Sequence, residues 1–137
     1  MLSEKEKERL TRADQLQAAM AILKQEIQEI LLSGEVAPPG CRVMRYRVRR
    51  KKACYWYYKL QALEPTFPPP SGSGELSKYK HLGKAGSRAH IEAVLQVARR
   101  AKIDGLQRAI DALSESWLQV CLEEEKDQKD SPEKSSD

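Results

Sequence analysis

Eight cations and five aromatic rings share the twenty residues CRVMRYRVRRKKACYWYYKL, 41–60, with no carboxylate among them. The cations are Arg42, Arg45, Arg47, Arg49, Arg50, Lys51, Lys52 and Lys59; the rings are Tyr46, Tyr55, Trp56, Tyr57 and Tyr58. Guanidinium forks match phosphate oxygens and guanine edges, and flat rings offer faces on which bases stack. Like charges at this density repel one another, which costs stability unless an anion offsets it. The chemistry these residues suit is the binding of a polyanion, with nucleic acid the first candidate.

A second cluster lies in SKYKHLGKAGSRAH, residues 77–90, where Lys78, Lys80, Lys84 and Arg88 gather around a strand, a glycine turn and a helix start. Exposed N–H groups at a helix N-terminus favour phosphate, and the helix dipole adds to this. The plain alternative is ordinary turn and cap chemistry.

Catalysis finds little support. His81 and His90 have no Cys or carboxylate at metal-ligand spacing, and His90 and Glu92 fall on different helix faces. The chain lacks GxxxxGK[ST], GxGxxG, HExxH and GxSxG, and the Gly83–Lys84–Gly86 turn is too short for a phosphate loop. Cys41, Cys54 and Cys121 are odd in number, widely spaced and without a CxxC, which reads as reduced structural thiols, Cys54 included. A non-enzymatic protein without cofactor or metal is expected.

The net charge of +4 conceals a segregation. Residues 1–35 carry 5 basic and 7 acidic side chains, residues 36–102 carry 15 and 3, and residues 103–137 carry 4 and 10. A middle segment of net +12 between acidic ends suggests a binding region flanked by oligomerising or solvated segments. No run of about 18 apolar residues exists, and MLSEKEKERL lacks an apolar signal core, so a cytoplasmic protein is expected.

The elements that would position these residues follow from periodicity. Ala13, Leu16, Met20, Leu23, Ile27 and Ile30 alternate spacings of three and four inside an uninterrupted helical stretch, residues 3–32, opened by the capping pair Ser3 and Glu6. Gly34, in a left-handed C-terminal position, and Pro38-Pro39 would end it. Residues 41–49 alternate with period two, Met44, Tyr46 and Val48 facing a core and Arg45, Arg47 and Arg49 facing outward. Residues 50–53 turn the chain into a second strand over 54–63. There Trp56 and Tyr58 would join Met44 and Tyr46 in the core, leaving Tyr55 and Tyr57 for the surface. EPTFPPPSGSGE, 64–75, reads as a flexible loop, and residues 76–82 as a third strand. Ser87 would cap a helix over 88–101. A further heptad helix follows over 103–124, with Ile103, Leu106, Ile110, Leu113, Trp117 and Val120 as its seam, then a disordered charged tail over 125–137. This is an α+β chain: a long N-terminal helix (1–35), a basic sheet-plus-helix domain (36–102) and a C-terminal heptad helix, giving two helices after the sheet. The seams would pair with each other or form a homodimer.

The succession of a basic strand, YWYYKL, and SKYKHLGKAGS before a helix resembles the YYYLR…KYLGK pattern of small mobile-element proteins. It is also similar to the arm-type DNA-binding domain of tyrosine recombinases, a three-stranded sheet plus helix. The resemblance spans residues 42–100. It implies a sheet in the major groove, with Arg45, Arg47, Arg49, Lys59, Lys78 and Lys80 toward DNA. The loop 64–75 departs from the tight turn typical there, and nothing matches the recombinase catalytic domain, so the resemblance implies binding rather than strand cleavage.

The expectation is therefore a double-stranded DNA-binding protein, as a transcriptional regulator, mobile-element accessory factor or plasmid-segregation adaptor. Arg45, Arg47, Arg49 and Lys59 would meet the groove, and Arg50, Lys51, Lys52, Lys78, Lys80, Lys84 and Arg88 would hold phosphates. Two competitors remain. One is an adaptor whose helices bind a protein partner or filament and whose basic face meets anionic lipid or an acidic protein. The other is an RNA binder that stacks bases on Tyr55 and Tyr57.

Overall fold

The computed structural model describes residues 1–129, with side chains to Glu123. Its elements are α1 (Glu4–Ser33), β1 (Arg42–Arg50), β2 (Ala53–Gln61), β3 (Tyr79–Gly83) and α2 (Arg88–Lys129). They belong to two compact units: residues 1–29 with the described residues from Asp104, and Ile30–Ile103.

The first unit is an antiparallel helix pair. The Ser3 hydroxyl accepts the Glu6 N–H at 3.1 Å while the Glu6 carboxylate accepts from Ser3, the expected capping box. Within the unit the seam residues Ala13, Leu16, Met20, Leu23 and Ile27 are half-buried. On α2, Ile110 and Val120 are buried, and Leu106, Leu113 and Trp117 half-buried. Arg12 meets Glu123 at 3.0 Å. Leu16 shares a hollow with Val120, and Ile27 one with Gln107. The seams thus serve each other within one chain, so length alone no longer calls for a second copy.

The second unit is a three-stranded antiparallel sheet in the order β1-β2-β3. The hairpin pairs nine residues on each strand, from Arg42 with Gln61 to Arg50 with Ala53. Its turn is therefore only Lys51 and Lys52. Lys51 takes φ +47, the left-handed region that a two-residue hairpin demands and that costs a side-chain-bearing residue about 1–2 kcal/mol. Between β2 and β3 the register slips at Tyr58 and Lys59: Tyr58 pairs with Gly83 but Lys59 with His81. Gly83, at φ +88, absorbs the distortion.

The core of this unit joins one face of the sheet to the first turns of α2 and the segment after α1. Ala37, Cys41, Leu60, Ala62, Leu82 and Ala93 are buried together, with Val43, Tyr58, Phe67 and Val97 packed against them. Ser87 caps α2 as expected, accepting the His90 N–H at 3.2 Å and donating to the Leu82 carbonyl at 2.7 Å.

Five expectations need correction. The two helices after the sheet are one helix, because Gly105 lowers helix propensity by only about 1 kcal/mol and no proline intervenes. The first five residues of the expected tail, 125–129, belong to α2, and 130–137 lie outside the described residues. The third strand is shorter than 76–82; Ser77 instead bridges Phe67 across the proline loop, whose base is pinned by three backbone hydrogen bonds between Thr66, Phe67 and Ser77. Gly34 is not left-handed. Its missing side chain admits the Arg99 guanidinium, which a Cβ would meet at 2.5 Å, and Arg99 donates to the Glu35 carbonyl. Cys54 is exposed rather than in the core.

Candidate nucleic-acid interface

Cross-strand partners share a face, so the register decides which side chains stand together. Arg45 pairs with Tyr58, Arg47 with Trp56 and Arg49 with Cys54. The three arginines therefore lie on the face that, nearer the base of the hairpin, carries Val43 and Leu60 and packs on α2. On the opposite face Met44 pairs with Lys59, Tyr46 with Tyr57 and Val48 with Tyr55. Period two was legible in each strand, but which residues of β1 join which of β2 depends on the turn. A two-residue turn places Arg45 and Trp56 together, so the pooling of Trp56, Tyr58, Met44 and Tyr46 in one core does not hold. Tyr58 packs on the core, Met44 and Tyr46 lie on the other face, and Trp56 is 45% exposed.

The arginine face is ordered by stacking. Arg45 lies over the Trp56 ring at 4.1 Å and Arg47 at 5.6 Å. An exposed cation–π pair contributes roughly 0.5–1 kcal/mol and holds the guanidinium plane while leaving its N–H edge free. From Met44 to Tyr57 no residue is buried, so the outer part of the hairpin has both faces open. Lys80 stands on the arginine face in register with Leu60.

Lys59 does not join the arginines. It sits on the opposite face with its ammonium 4.3 Å from the Tyr79 ring and 5.1 Å from that of Tyr46. Tyr46 stacks on Tyr57 at 6.0 Å and its hydroxyl meets His81 Nδ1 at 3.0 Å. Arg50 closes this face, and Lys51 and Lys52 form the tip. Lys84, just after β3, lies 5.4 Å from the Tyr55 ring. Lys78 precedes β3, its carbonyl accepting the Ala62 N–H at 2.8 Å, and Arg88 opens α2. The eleven basic residues therefore divide between two faces, the hairpin tip and the β3–α2 turn. None forms an ion pair with a carboxylate among the described residues. Tyr46, Tyr79 and His81, not among the expected surface groups, share the face of Tyr57 and Lys59, a parity that only the register reveals.

The histidines are held by other contacts. His90 stacks on Tyr58 at 3.8 Å and its Nδ1 accepts the Gly86 N–H at 3.0 Å. No group of three or more His, Cys, Asp or Glu side chains is placed to hold a metal among the described residues. Burial pushes the Cys41 thiol up from its ordinary pKa, partly offset by the charge of Arg100, which suits an inert core thiol. No described helix is long and apolar enough to cross a membrane. No family model, curated protein or solved structure matches the chain.

Proposed function

We propose that the protein is a non-enzymatic binder of double-stranded DNA that lays its β1–β2 hairpin in the major groove, arginine face inward. The observation that carries this reading is the row Arg45, Arg47 and Arg49, all exposed on one face of the outer hairpin, with Arg45 and Arg47 over the Trp56 ring and none of the three in an ion pair among the described residues. Alternate residues of an antiparallel strand stand about 6.8 Å apart, close to two base-pair steps of about 3.4 Å, so successive arginines would meet successive pairs of steps. A two-stranded ribbon fits the width of that groove. Arg50, Lys51, Lys52, Lys80, Lys84 and Arg88 would then contact phosphates along the flanks, as would Lys78. Lys59, facing away, has no part in groove contact. Regulation of transcription, service to a mobile element and plasmid segregation are the roles such binding would suit.

The test is R45A/R47A/R49A assayed on a random 20-base-pair duplex over a salt series. Affinity should fall more than about 100-fold near 0.1 M salt, while the log–log salt slope should change by less than about 1, since the phosphate-holding cations stay in place. The melting temperature should hold, because all three side chains are exposed. Duplex binding that survives the triple change would sink the proposal, as would equal binding to anionic vesicles by the same face.

A further inference from the structure

The face opposite the arginines carries a second arrangement. Tyr55 and Tyr57 stand at alternate positions of β2, and with Arg50, Lys51, Lys52, Ala53 and Lys84 they line an open hollow at the outer end of that face. Four of those seven lining residues are cations and none is an acid. Tyr55 is 41% exposed, and Lys84 sits beside its ring rather than beside a carboxylate. From the hollow the rings continue across the sheet: Tyr57 stacks on Tyr46, and Lys59 lies between Tyr46 and Tyr79, itself 41% exposed.

We propose that this tyrosine face is a binding site for single-stranded nucleic acid, with bases stacked on Tyr55 and Tyr57 and the intervening phosphates held by Arg50, Lys51, Lys52 and Lys84. The choice of occupant follows from the chemistry. A duplex keeps its base faces hidden in the stack, so exposed ring faces gain nothing from it, whereas splayed bases of a single strand each present a π-face. Alternate positions on a strand put neighbouring rings about 6.8 Å apart, a distance that a single-stranded backbone spans between successive splayed bases. An acidic peptide would be drawn by the cations but would have no use for the rings. The rings lie on the face opposite the arginines, while Arg50, Lys51, Lys52 and Lys84 are shared with the groove reading, so the rings, not the cations, distinguish the two sites.

Fluorescence anisotropy with labelled oligo-dT and oligo-U 12-mers tests the site, with the 20-base-pair duplex and a poly-glutamate peptide as comparison probes. The wild-type protein should bind at least one 12-mer, and the sugar it prefers identifies DNA or RNA as the source. Y55L/Y57L should weaken that binding by roughly 30-fold or more, as expected for two lost stacking partners, and leave duplex binding within about three-fold. Y55F/Y57F should retain it. Tyr55→Leu alone, at an exposed position, gives a loss of about five-fold or more and serves where the double variant does not fold. Failure of the wild-type protein to bind either 12-mer, or binding indifferent to the rings, overturns the inference. So does a poly-glutamate affinity equal to that of the 12-mers. Absence of duplex binding by the wild-type protein, with 12-mer binding that falls in Y55L/Y57L, would overturn the groove reading and leave this site standing.

Discussion

The helix pair and the sheet treat charge in opposite ways. In the first unit Lys7 meets Glu4, and Arg12 bonds both Glu8 and Glu123. In the second, the cations of the hairpin meet rings: Arg45 and Arg47 on Trp56, Lys59 on Tyr46 and Tyr79, Lys84 on Tyr55. A carboxylate neutralises a cation and satisfies its donors. A ring orients a cation and leaves its charge and donors available. Lys7 and Arg12 are thus neutralised by carboxylates, whereas the ring-stacked cations of the sheet keep their charge and donors uncompensated.

The sharpest way to break this comparison is to remove the frame beneath the cations. Leu60 is 3% exposed and lies on β2 among Ala37, Cys41, Leu82 and Ala93. Leu60→Ala should destabilise the protein by about 2–5 kcal/mol, read by chemical denaturation, and lower binding only in proportion to the unfolded fraction. A smaller loss of stability with a large loss of affinity would mean that the core serves the site more directly than the geometry allows.

A more local change sharpens the arginine face alone. Trp56→Ala removes the plane under Arg45 and Arg47 at a position 45% exposed. Duplex affinity should drop about two- to five-fold, the equivalent of an exposed cation–π pair of roughly 0.5–1 kcal/mol, with little change in melting temperature. A loss as great as that of the triple arginine variant would make Trp56 itself a contact. No loss at all would mean that ring stacking does not order the guanidinium groups.

How much of this was legible in advance differs between the units for a physical reason. The heptad seams and the Ser3 and Ser87 caps depend on residues within a turn or two of one another, and they stand where periodicity places them. The faces of the hairpin depend on pairing, and pairing depends on a turn whose sequence, Lys51-Lys52, carries no glycine or asparagine. The expected strand ends, residues 49 and 54, already imply this register; partners across it share a face, so Lys59 falls with Met44 and away from the arginines it was expected to join. The continuity of α2 was hidden by a different effect. No proline or glycine stands at residue 102, where a break is expected between 88–101 and 103–124, so the helix runs on through Ile103 and Ile110, both buried. The pinning of the proline loop was hidden as well, since it rests on Phe67 reaching a core that only the folded sheet creates.

The smallest expected effect concerns the charges that do find carboxylates. Arg12 and Glu123 join the two helices of the first unit at 3.0 Å, but both side chains are 41% exposed. Water screens a pair in that setting, and ordering two long side chains offsets part of the attraction, so measured values for such pairs fall within about 1 kcal/mol. A double-mutant cycle of Arg12→Ala and Glu123→Ala should give a coupling barely above the error of denaturant unfolding, shrinking as salt is raised. The helix pair should then hold through Leu16, Ile27, Ile110 and Val120, with its ion pairs contributing little. A large coupling that persists in 1 M salt would show that charge pairing contributes to this unit beside the apolar seam. The contrast with the sheet would then be one of how strongly each unit uses its charges, as well as of what those charges meet.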